Sequence, residues 1–299
     1  MTTYIQLFFL GLPIAGLFAI LATGVVMVYR ASRILNLAQG GLAMMTAYAL
    51  YQTHQWGLPL PVALVAAMVF AAWLGWFMER FLLRPLRDRP VLVSVIMTVG
   101  VLALLTALAT LIWTSDRQTA PQIVPNGTLS FFGIVIGLDR LFILAIAGVL
   151  MGGVVYLFKF TTLGIAMRAV SDDRQAASLM GIPVDQVSSL TWALGSMLAG
   201  AAGILLSPVI GLQPVNLTLL AIPAYAAAVF GGLSSLPLTL LGAGIIGVMY
   251  SEIPSLPLVG SQATSFPGTR EIAIFASVVL FLVLRWQTLF GSNLVEEEI

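Results

Sequence analysis

Two neutral polar side chains interrupt the apolar stretches of this sequence at a spacing that could serve hydrogen bonding to a solute. Asn36 and Gln39 are three residues apart at the start of one stretch, and Gly40 and Gly41 follow them. Polar groups inside a bilayer are costly and often functional. The pattern predicts a half-helix with an unwound start that lines a cavity. The alternative is that both side chains lie at the inner membrane interface and cap the helix.

Two further polar residues fall inside apolar stretches, Thr98 in the fourth and Tyr225 in the seventh. Because a threonine hydroxyl can bond to the backbone of its own helix, these are weaker candidates for lining a path. Glu79 and Arg80 come at the end of the third stretch. There we expect a solvated, charged rim.

The sequence lacks the residue types on which thiol chemistry and most protein metal sites depend. It contains no Cys and a single His, His54, which excludes thiol nucleophiles and disulfides and argues against a metal site. No GxxxxGK[ST] motif occurs, so we expect no phosphate loop that would bind ATP. The expectation is a chain that is not an enzyme and binds no metal or cofactor of its own.

Composition indicates that the chain lies in a membrane. Of its 299 residues, 60% are apolar and 8% charged, whereas soluble domains carry about 25% charged residues. A chain solvated by lipid needs charge only in its loops and at its ends. The net charge is +1, which argues against nucleic acid as a partner. The low share of charged residues also excludes a soluble enzyme, because such a protein needs far more charge to cover its surface.

Apolar stretches recur along the whole chain at the length needed to cross a bilayer, about 17 to 25 residues. They lie near residues 5–28, 36–52, 60–79, 91–113, 140–158, 187–207, 217–233, 237–252 and 271–287. These stretches predict an all-α, polytopic transmembrane helical bundle of about eight or nine spans, with residues 1–299 as one domain. The seventh stretch contains Pro223, and it is either a full span or a re-entrant segment.

Basic residues predict the orientation, because cytoplasmic loops carry an excess of Arg and Lys. With the N-terminus outside, ten basic residues lie inside and three outside. The inner ten are Arg30, Arg33, Arg80, Arg84, Arg87, Arg89, Lys159, Arg168, Arg174 and Arg285, and the outer three are Arg117, Arg140 and Arg270. We expect the C-terminus inside and residues 114–139 to form a modest external loop.

Small residues at helical spacing predict where helices approach each other closely in the membrane. Gly148 and Gly152 form a GxxxG pair, and Gly195, Ala199 and Gly203 form a stripe on the sixth stretch. We interpret both sets as packing signals.

The inner loop of residues 159–187 carries the signals of a short helix. Asp172 and Gln175 resemble a capping box, Gly181 fits a left-handed C-terminal cap, and Pro183 prevents continuation. The predicted helix spans residues 172–181. Its small apolar face, formed by Ala176, Leu179 and Met180, would rest against another protein or against the underside of the bundle.

Several segments together resemble the permease subunits of ABC importers for branched-chain amino acids. They are residues 35–41 (LNLAQGG), 97–100 (MTVG), 162–208 with RAV at 168–170 and LAGAAG at 198–203, and 230–237 (FGGLSSLP). The resemblance covers most of the chain, and the short N-terminus and the NLAQG form favour the LivH type over the LivM type. It implies a bacterial-type inner membrane protein.

The resemblance also implies the partners. These are a second permease subunit of the LivM type, two cytoplasmic ATP-binding subunits that hydrolyse ATP, and an external substrate-binding protein. The 172–181 helix would couple the chain to the ATPases. The residues implied in coupling are Arg168, Asp172, Arg174, Ala176, Ala177, Leu179, Met180 and Gly181, and those proposed for the translocation path are Asn36, Gln39, Thr98 and Tyr225.

Alternative functions remain open at this point. A related permease for urea, short amides or another small solute would show the same features. A secondary transporter would need ionisable groups inside its spans, whereas nearly every Asp and Glu of this chain falls in a loop or at a span end. A membrane enzyme would need a nucleophile, a metal or an acid–base pair, and His54 alone does not provide one.

Overall fold

The computed structural model describes residues 2–123, 127–131 and 134–252, together with residues 272, 275, 276 and 279. Within these residues the chain forms eleven α-helices and one β-hairpin. The helices are α1 (Thr2–Ser32), α2 (Gln39–Gln55), α3 (Leu60–Phe77), α4 (Val91–Trp113), α5 (Leu138–Phe160), α6 (Thr162–Asp172), α7 (Arg174–Leu179), α8 (Val184–Ile210), α9 (Pro214–Leu219), α10 (Ala221–Phe230) and α11 (Leu236–Glu252). A π-helical turn (Met78–Leu83) and a 3-10 turn (Arg84–Leu86) extend α3.

Five helices in the described part of the chain are long and apolar enough to cross a membrane. They cover Gly11–Ser32, Leu60–Leu86, Val91–Trp113, Leu138–Phe160 and Val184–Ile210. Two shorter apolar stretches follow, Pro214–Phe230 and Leu236–Ser251. The helical, apolar bundle is therefore confirmed. Of the predicted stretch 271–287, only residues 272, 275, 276 and 279 are described, and the basic residues Arg270 and Arg285 lie outside the described residues.

The predicted external loop contains a β-hairpin, which departs from an all-α fold. Strands β1 (Thr128–Phe131) and β2 (Ile134–Gly137) pair antiparallel, with Thr128 opposite Gly137 and Phe131 opposite Ile134. The prediction missed this hairpin because it took only the turn-forming residues of the segment into account. The hairpin leads directly into α5.

Helices α1 and α8 form the centre of the bundle. In their most apolar windows, 83% and 72% of the residues are buried, whereas the corresponding share in α3, α4 and α5 is 22%. The contacts of α1 are made mainly with α11, α8, α5 and α10, and those of α8 mainly with α1, α3 and α2. The outer helices therefore present most of their apolar surface to lipid or to another subunit.

The predicted stripe of small residues on α8 lies where the helix backbones approach most closely. A Cβ added to Gly195 would lie 3.1 Å from the carbonyl oxygen of Gly24, and one added to Gly203 would lie 2.2 Å from that of Ala43. The stripe is therefore confirmed as a packing site. Gly148 and Gly152 differ, because no described atom comes within 4 Å of a Cβ added to either.

The seventh apolar stretch is broken rather than continuous. Helix α9 has six residues and α10 has ten, and they meet at Leu220. Ten helical residues rise about 15 Å, roughly half of the hydrocarbon core. Gly232 (φ 59°) and Leu233 (φ 56°) then turn the chain into α11. The broken geometry favours the re-entrant reading of this stretch.

Arginine-rich segments far apart in the sequence meet at one end of the bundle. The Arg33 guanidinium donates to the Ser171 carbonyl at 2.9 Å, and Arg84 donates to the Asp185 carbonyl at 3.0 Å. This end, which we call the basic end, carries nine of the eleven basic residues in the described part of the chain. Only Arg117 and Arg140 lie at the opposite end.

Candidate functional site

The four polar residues singled out in the sequence come together around the start of α2. Asn36 Nδ2 donates to Gln39 Oε1 at 3.0 Å, and the Tyr225 hydroxyl donates to the backbone carbonyl of Asn36 at 2.9 Å. Thr98 Oγ1 accepts the backbone N–H of Leu37 at 3.2 Å. We call these four side chains, on three different elements and the segment before α2, the polar cluster.

The polar cluster lies level with the middle of the central helices. Gln39 Nε2 donates to the carbonyl of Gly195 at 3.1 Å, and Gly195 is the twelfth of the 27 residues of α8. A Cβ added to Gly24, eight residues before the end of α1, would lie 2.5 Å from Gln39 Nε2. This depth disfavours the alternative in which Asn36 and Gln39 lie at the inner interface.

Two breaks between consecutive helices meet at the polar cluster. The chain leaves α1 through Arg33, which adopts the left-handed φ of 57°, and α2 begins only at Gln39. The break between α9 and α10 packs against this start, because a Cβ added to Gly40 would lie 2.3 Å from the carbonyl of Thr218. The predicted unwound start is therefore present, whereas α2 itself is not a half-helix, because it continues for 17 residues. Discontinuous helices of this kind form solute sites in transporters.

The polar cluster is closed in this conformation. Asn36, Gln39 and Thr98 are each 0% exposed, and the remaining Asn36 oxygen accepts the N–H of Ala38 at 3.1 Å. The amides therefore satisfy one another and the backbone, as buried polar groups must. Separation of the segment before α2 from α10 would break the bond between Tyr225 and Asn36 and free a neutral hydroxyl and a backbone carbonyl, with no charged side chain in the cluster.

The loop at the basic end forms two helices instead of one. Thr161 Oγ1 caps α6 by accepting from the N–H of Gly164 at 3.1 Å. Asp173 Oδ1 caps α7 by accepting from the N–H groups of Gln175 and Ala176 at 2.8 and 3.0 Å. The predicted cap at Asp172 is wrong, since Asp172 is the last residue of α6.

Gly181 ends α7 as predicted. Its φ is 81°, its N–H donates to the carbonyl of Ser178 at 3.0 Å, and the N–H of Ile182 donates to that of Ala177 at 3.0 Å. These two bonds form a Schellman motif. Helix α7 therefore has a defined start and a defined stop although it is only six residues long.

The apolar face predicted for this helix points away from the bundle. Leu179 is 89% and Met180 83% exposed, and Ala176 is exposed as well. Ala177, one position further round the helix, is 4% exposed and packs into the hydrophobic core. Of the two expected supports for this face, the underside of the bundle is therefore excluded.

A buried ion cluster lies beside α7, in place of the solvated rim expected at Glu79. Glu79 is 2% exposed, and its carboxylate contacts Arg84 at 2.9 Å and Arg87 at 2.8 Å. It also accepts the hydroxyl of Ser189. Both arginines reach Asp185 in the first turn of α8. We call Glu79, Arg84, Arg87, Asp185 and Ser189 the Glu79 cluster.

The Glu79 cluster extends to the start of α7. The guanidinium of Arg174 lies 3.6 Å from the carboxylate of Asp185. Burial lowers the pKa of Arg174, and the neighbouring Arg87 lowers it further while Asp185 opposes the shift. Arg168 and Asp172 are exposed on α6. Only Arg174 among the residues predicted to act in coupling therefore joins this ion cluster.

Sequence reasoning missed the Glu79 cluster because its members are far apart along the chain. Arg84 and Asp185 are separated by 101 positions. A weak signal was available: Glu79 follows an apolar stretch with two arginines, Arg84 and Arg87, one or two turns later. Among the described residues, no three His, Asp or Glu side chains come together as a metal site would require.

Comparison with known proteins gives consistent matches over nearly the whole chain. A sequence profile described as "Branched-chain amino acid transport system / permease component" matches residues 7–284. The high-affinity branched-chain amino acid transport system permease protein BraD of Pseudomonas aeruginosa is 28% identical, covering 98% of each chain. The corresponding protein LivH of Escherichia coli K12 is 26% identical, covering 98% of this chain and 97% of the relative.

One solved structure has a similar fold. It is described as "PsaBC from Streptococcus pneumoniae in complex with Fab", and it matches with a TM-score of 0.50 over 92% of this chain and 89% of the other, at 15% identity. At this level of identity the match concerns the arrangement of the helices.

Proposed function

Because this chain belongs to the family of branched-chain amino acid transport permease components, we propose that it forms the translocation path for branched-chain, aliphatic amino acids in an ATP-driven importer. The observation that carries the proposal is the family match over residues 7–284 together with relatives aligned end to end. The chain is a transport subunit, and ATP is bound and hydrolysed by partner subunits.

The proposed assembly contains a second permease subunit of the LivM type, two cytoplasmic ATP-binding subunits and an external substrate-binding protein. The exposed Leu179 and Met180 support a protein contact at α7, because apolar side chains that point away from the bundle gain from burial against a partner. The caps of α7 hold this pair in a fixed orientation. The Glu79 cluster then connects α7 with α3 and α8.

The proposed topology has about eight or nine crossings, with the N-terminus outside and the C-terminus inside the inner membrane. The concentration of nine basic residues at the basic end supports a cytoplasmic position for that end. The segment 114–123, the β-hairpin and the turn between α2 and α3 then face outward.

For the path itself, we assign the solute to the polar cluster when α2 and α10 separate. Its neutral amides and hydroxyls suit a solute that must not be held tightly, and the surrounding Ala, Gly and Leu residues suit an aliphatic side chain. Alternating access by movement of helix groups about this point agrees with the unwound segment before α2 and the break between α9 and α10.

The test is leucine uptake into proteoliposomes that contain this chain with its partner subunits, with ATP inside and the binding protein outside. We expect uptake to require ATP and to be inhibited by unlabelled isoleucine and valine. Vesicles assembled without this chain serve as the control. Transport of urea or acetamide in place of leucine would contradict the proposed solute, and uptake driven by an ion gradient without ATP would contradict the mechanism.

A further inference from the structure

A cavity of about 480 Å³ opens at the end of the bundle opposite the basic end. Its walls come from the segment 117–123, the first turns of α5 and the last turns of α8. The volume falls in the range of small-molecule sites, roughly 300 to 1,000 Å³. The polar cluster does not contribute to it, so this is a separate place where a solute could be held.

The segment that forms one wall is held by backbone hydrogen bonds. The N–H of Gln118 donates to the carbonyl of Leu212 at 2.9 Å, and the N–H of Leu212 donates back to Gln118 at 3.0 Å. This antiparallel bridge attaches the segment to the chain just after α8. These bonds fix the position of this wall relative to the end of α8.

The same bridge positions the side chain of Arg117. Gly211 ends α8 with a φ of 83°, and a Cβ added there would lie 2.2 Å from Arg117 Nε. The arginine therefore crosses the bare backbone of Gly211 to reach the cavity wall. A residue with a side chain would displace it and would also be strained at this φ.

Three charged side chains line the cavity without a partner in the described part of the chain. They are Arg117, Asp139 and Arg140, and none of them forms an ion pair or hydrogen bond there. The Asp139 carboxylate favours the start of α5 through the helix dipole, but that interaction leaves its oxygens free. Ile143 and Leu205, at 3% and 5% exposed, add an apolar wall.

We propose that this cavity binds a zwitterionic α-amino acid with an aliphatic side chain. Arg117 and Arg140 receive the carboxylate, for which guanidinium groups are well suited, and Asp139 receives the ammonium group. The apolar wall receives the side chain. This assignment rests on the proposed function and deepens it, because it gives the permease an outer site that holds the solute before it reaches the polar cluster.

The chain has no native Cys, which allows a direct test. Thr119 lines the cavity and is exposed, so Thr119→Cys in the assembled complex can be labelled from outside with a membrane-impermeant maleimide. Leucine at concentrations well above its Kd should slow this labelling at least about fivefold. Leucinamide, which lacks the carboxylate, and 4-methylpentanoate, which lacks the ammonium group, should not.

Matched controls isolate the cavity. Gln55, the last residue of α2, is exposed at the same end of the bundle, and leucine should leave the labelling of Gln55→Cys unchanged. Asp139→Asn and Arg140→Gln, each combined with Thr119→Cys, should abolish the protection without changing the unprotected rate. Gln122→Cys provides a second reporter in the cavity if Thr119→Cys reduces assembly.

Leucine uptake is measured in the same vesicles, which separates failure of this site from failure of the proposed function. Uptake without any protection at Thr119→Cys or Gln122→Cys would overturn the site and leave the transport function intact. Equal protection by leucine and sulfate would show a general anion site and would also overturn it. Protection by the external binding protein alone would show a protein-docking surface instead.

Discussion

Two clusters of polar residues in the described part of the chain, the polar cluster and the Glu79 cluster, differ in charge and in position. The polar cluster is neutral, lies level with the middle of α8 and has its donors and acceptors satisfied internally. The Glu79 cluster is ionic, lies at the basic end and balances one buried carboxylate with two guanidinium groups. The neutral set can separate at low cost, whereas the ionic set resists separation because a lone buried charge is expensive.

Replacing Glu79 with Gln should destabilise the protein by roughly 3 kcal/mol, because Arg84 and Arg87 lose the anion that compensates them. The six Trp residues provide the fluorescence signal for thermal unfolding in detergent. Asp88→Asn makes the same change of carboxylate to amide at an exposed position of the following turn and should have little effect. Equal stability of Glu79→Gln and the original protein would show that the ion cluster contributes nothing.

Replacing Gln39 with Leu should reduce leucine uptake at least about tenfold while the complex still assembles, because the change removes an amide from the polar cluster and fills its space. Uptake and complex yield are measured together. Gln52→Leu makes the same change on α2, where Gln52 accepts from Trp113 outside the polar cluster. Loss of yield in step with uptake would mean that Gln39 only holds helices together, and unchanged uptake would remove it from the path.

Helix α7 is short, but both of its ends are fixed by capping hydrogen bonds. A six-residue helix is not stable alone, but Asp173 caps its start and Gly181 closes its end. Ala177 attaches it to the core and leaves Leu179 and Met180 outside. Ala177→Asp would therefore disrupt the packing of α7 itself, so the docking role is better tested at the exposed pair.

Replacing both Leu179 and Met180 with Ser should leave the stability of the permease unchanged, because both side chains are exposed. If they are buried against an ATP-binding subunit, the loss of about 3 kcal/mol of burial should weaken that association about a hundredfold. Copurification with the ATPase and ATP-driven uptake measure the effect. Leu58→Ser makes a similar change at the opposite end and is the control. Normal association of the double variant would exclude α7 as the docking element.

On the scale of the whole molecule, charge and packing divide the bundle into two different ends. The basic end joins α3, α6, α7 and α8 through arginine contacts. The opposite end holds the β-hairpin, the Gln118–Leu212 bridge and the charged cavity. The unwound segment before α2 and the break between α9 and α10 lie between these two ends, where a movement at one end could open a path toward the other.

The topology predicts which end is accessible from outside. Single cysteines at Asp88 and Gln175 should react with an impermeant maleimide only after the membrane is permeabilised, whereas one at Gln55 should react in intact cells. Reporter fusions at Arg84 and Asp172 should likewise indicate the cytoplasm, and fusions at Thr119 and Gln262 the outside. Gln262 lies outside the described residues. An external position for Gln175 would refute coupling to a cytoplasmic ATPase.

The sequence by itself determined the membrane class, the family, the unwound start before Gln39, the packing stripe on α8 and the stop at Gly181. Each of these depends on composition or on short motifs of neighbouring residues, several of which together identify the family. Only the tertiary structure decided that Thr98 and Tyr225 join Asn36, that Glu79 is buried between arginines, and that Leu179 faces outward while Ala177 faces the core. In a chain that is apolar on nearly every helix face, periodicity does not show which face meets another helix and which meets lipid, so contacts across a hundred residues are decided by packing alone.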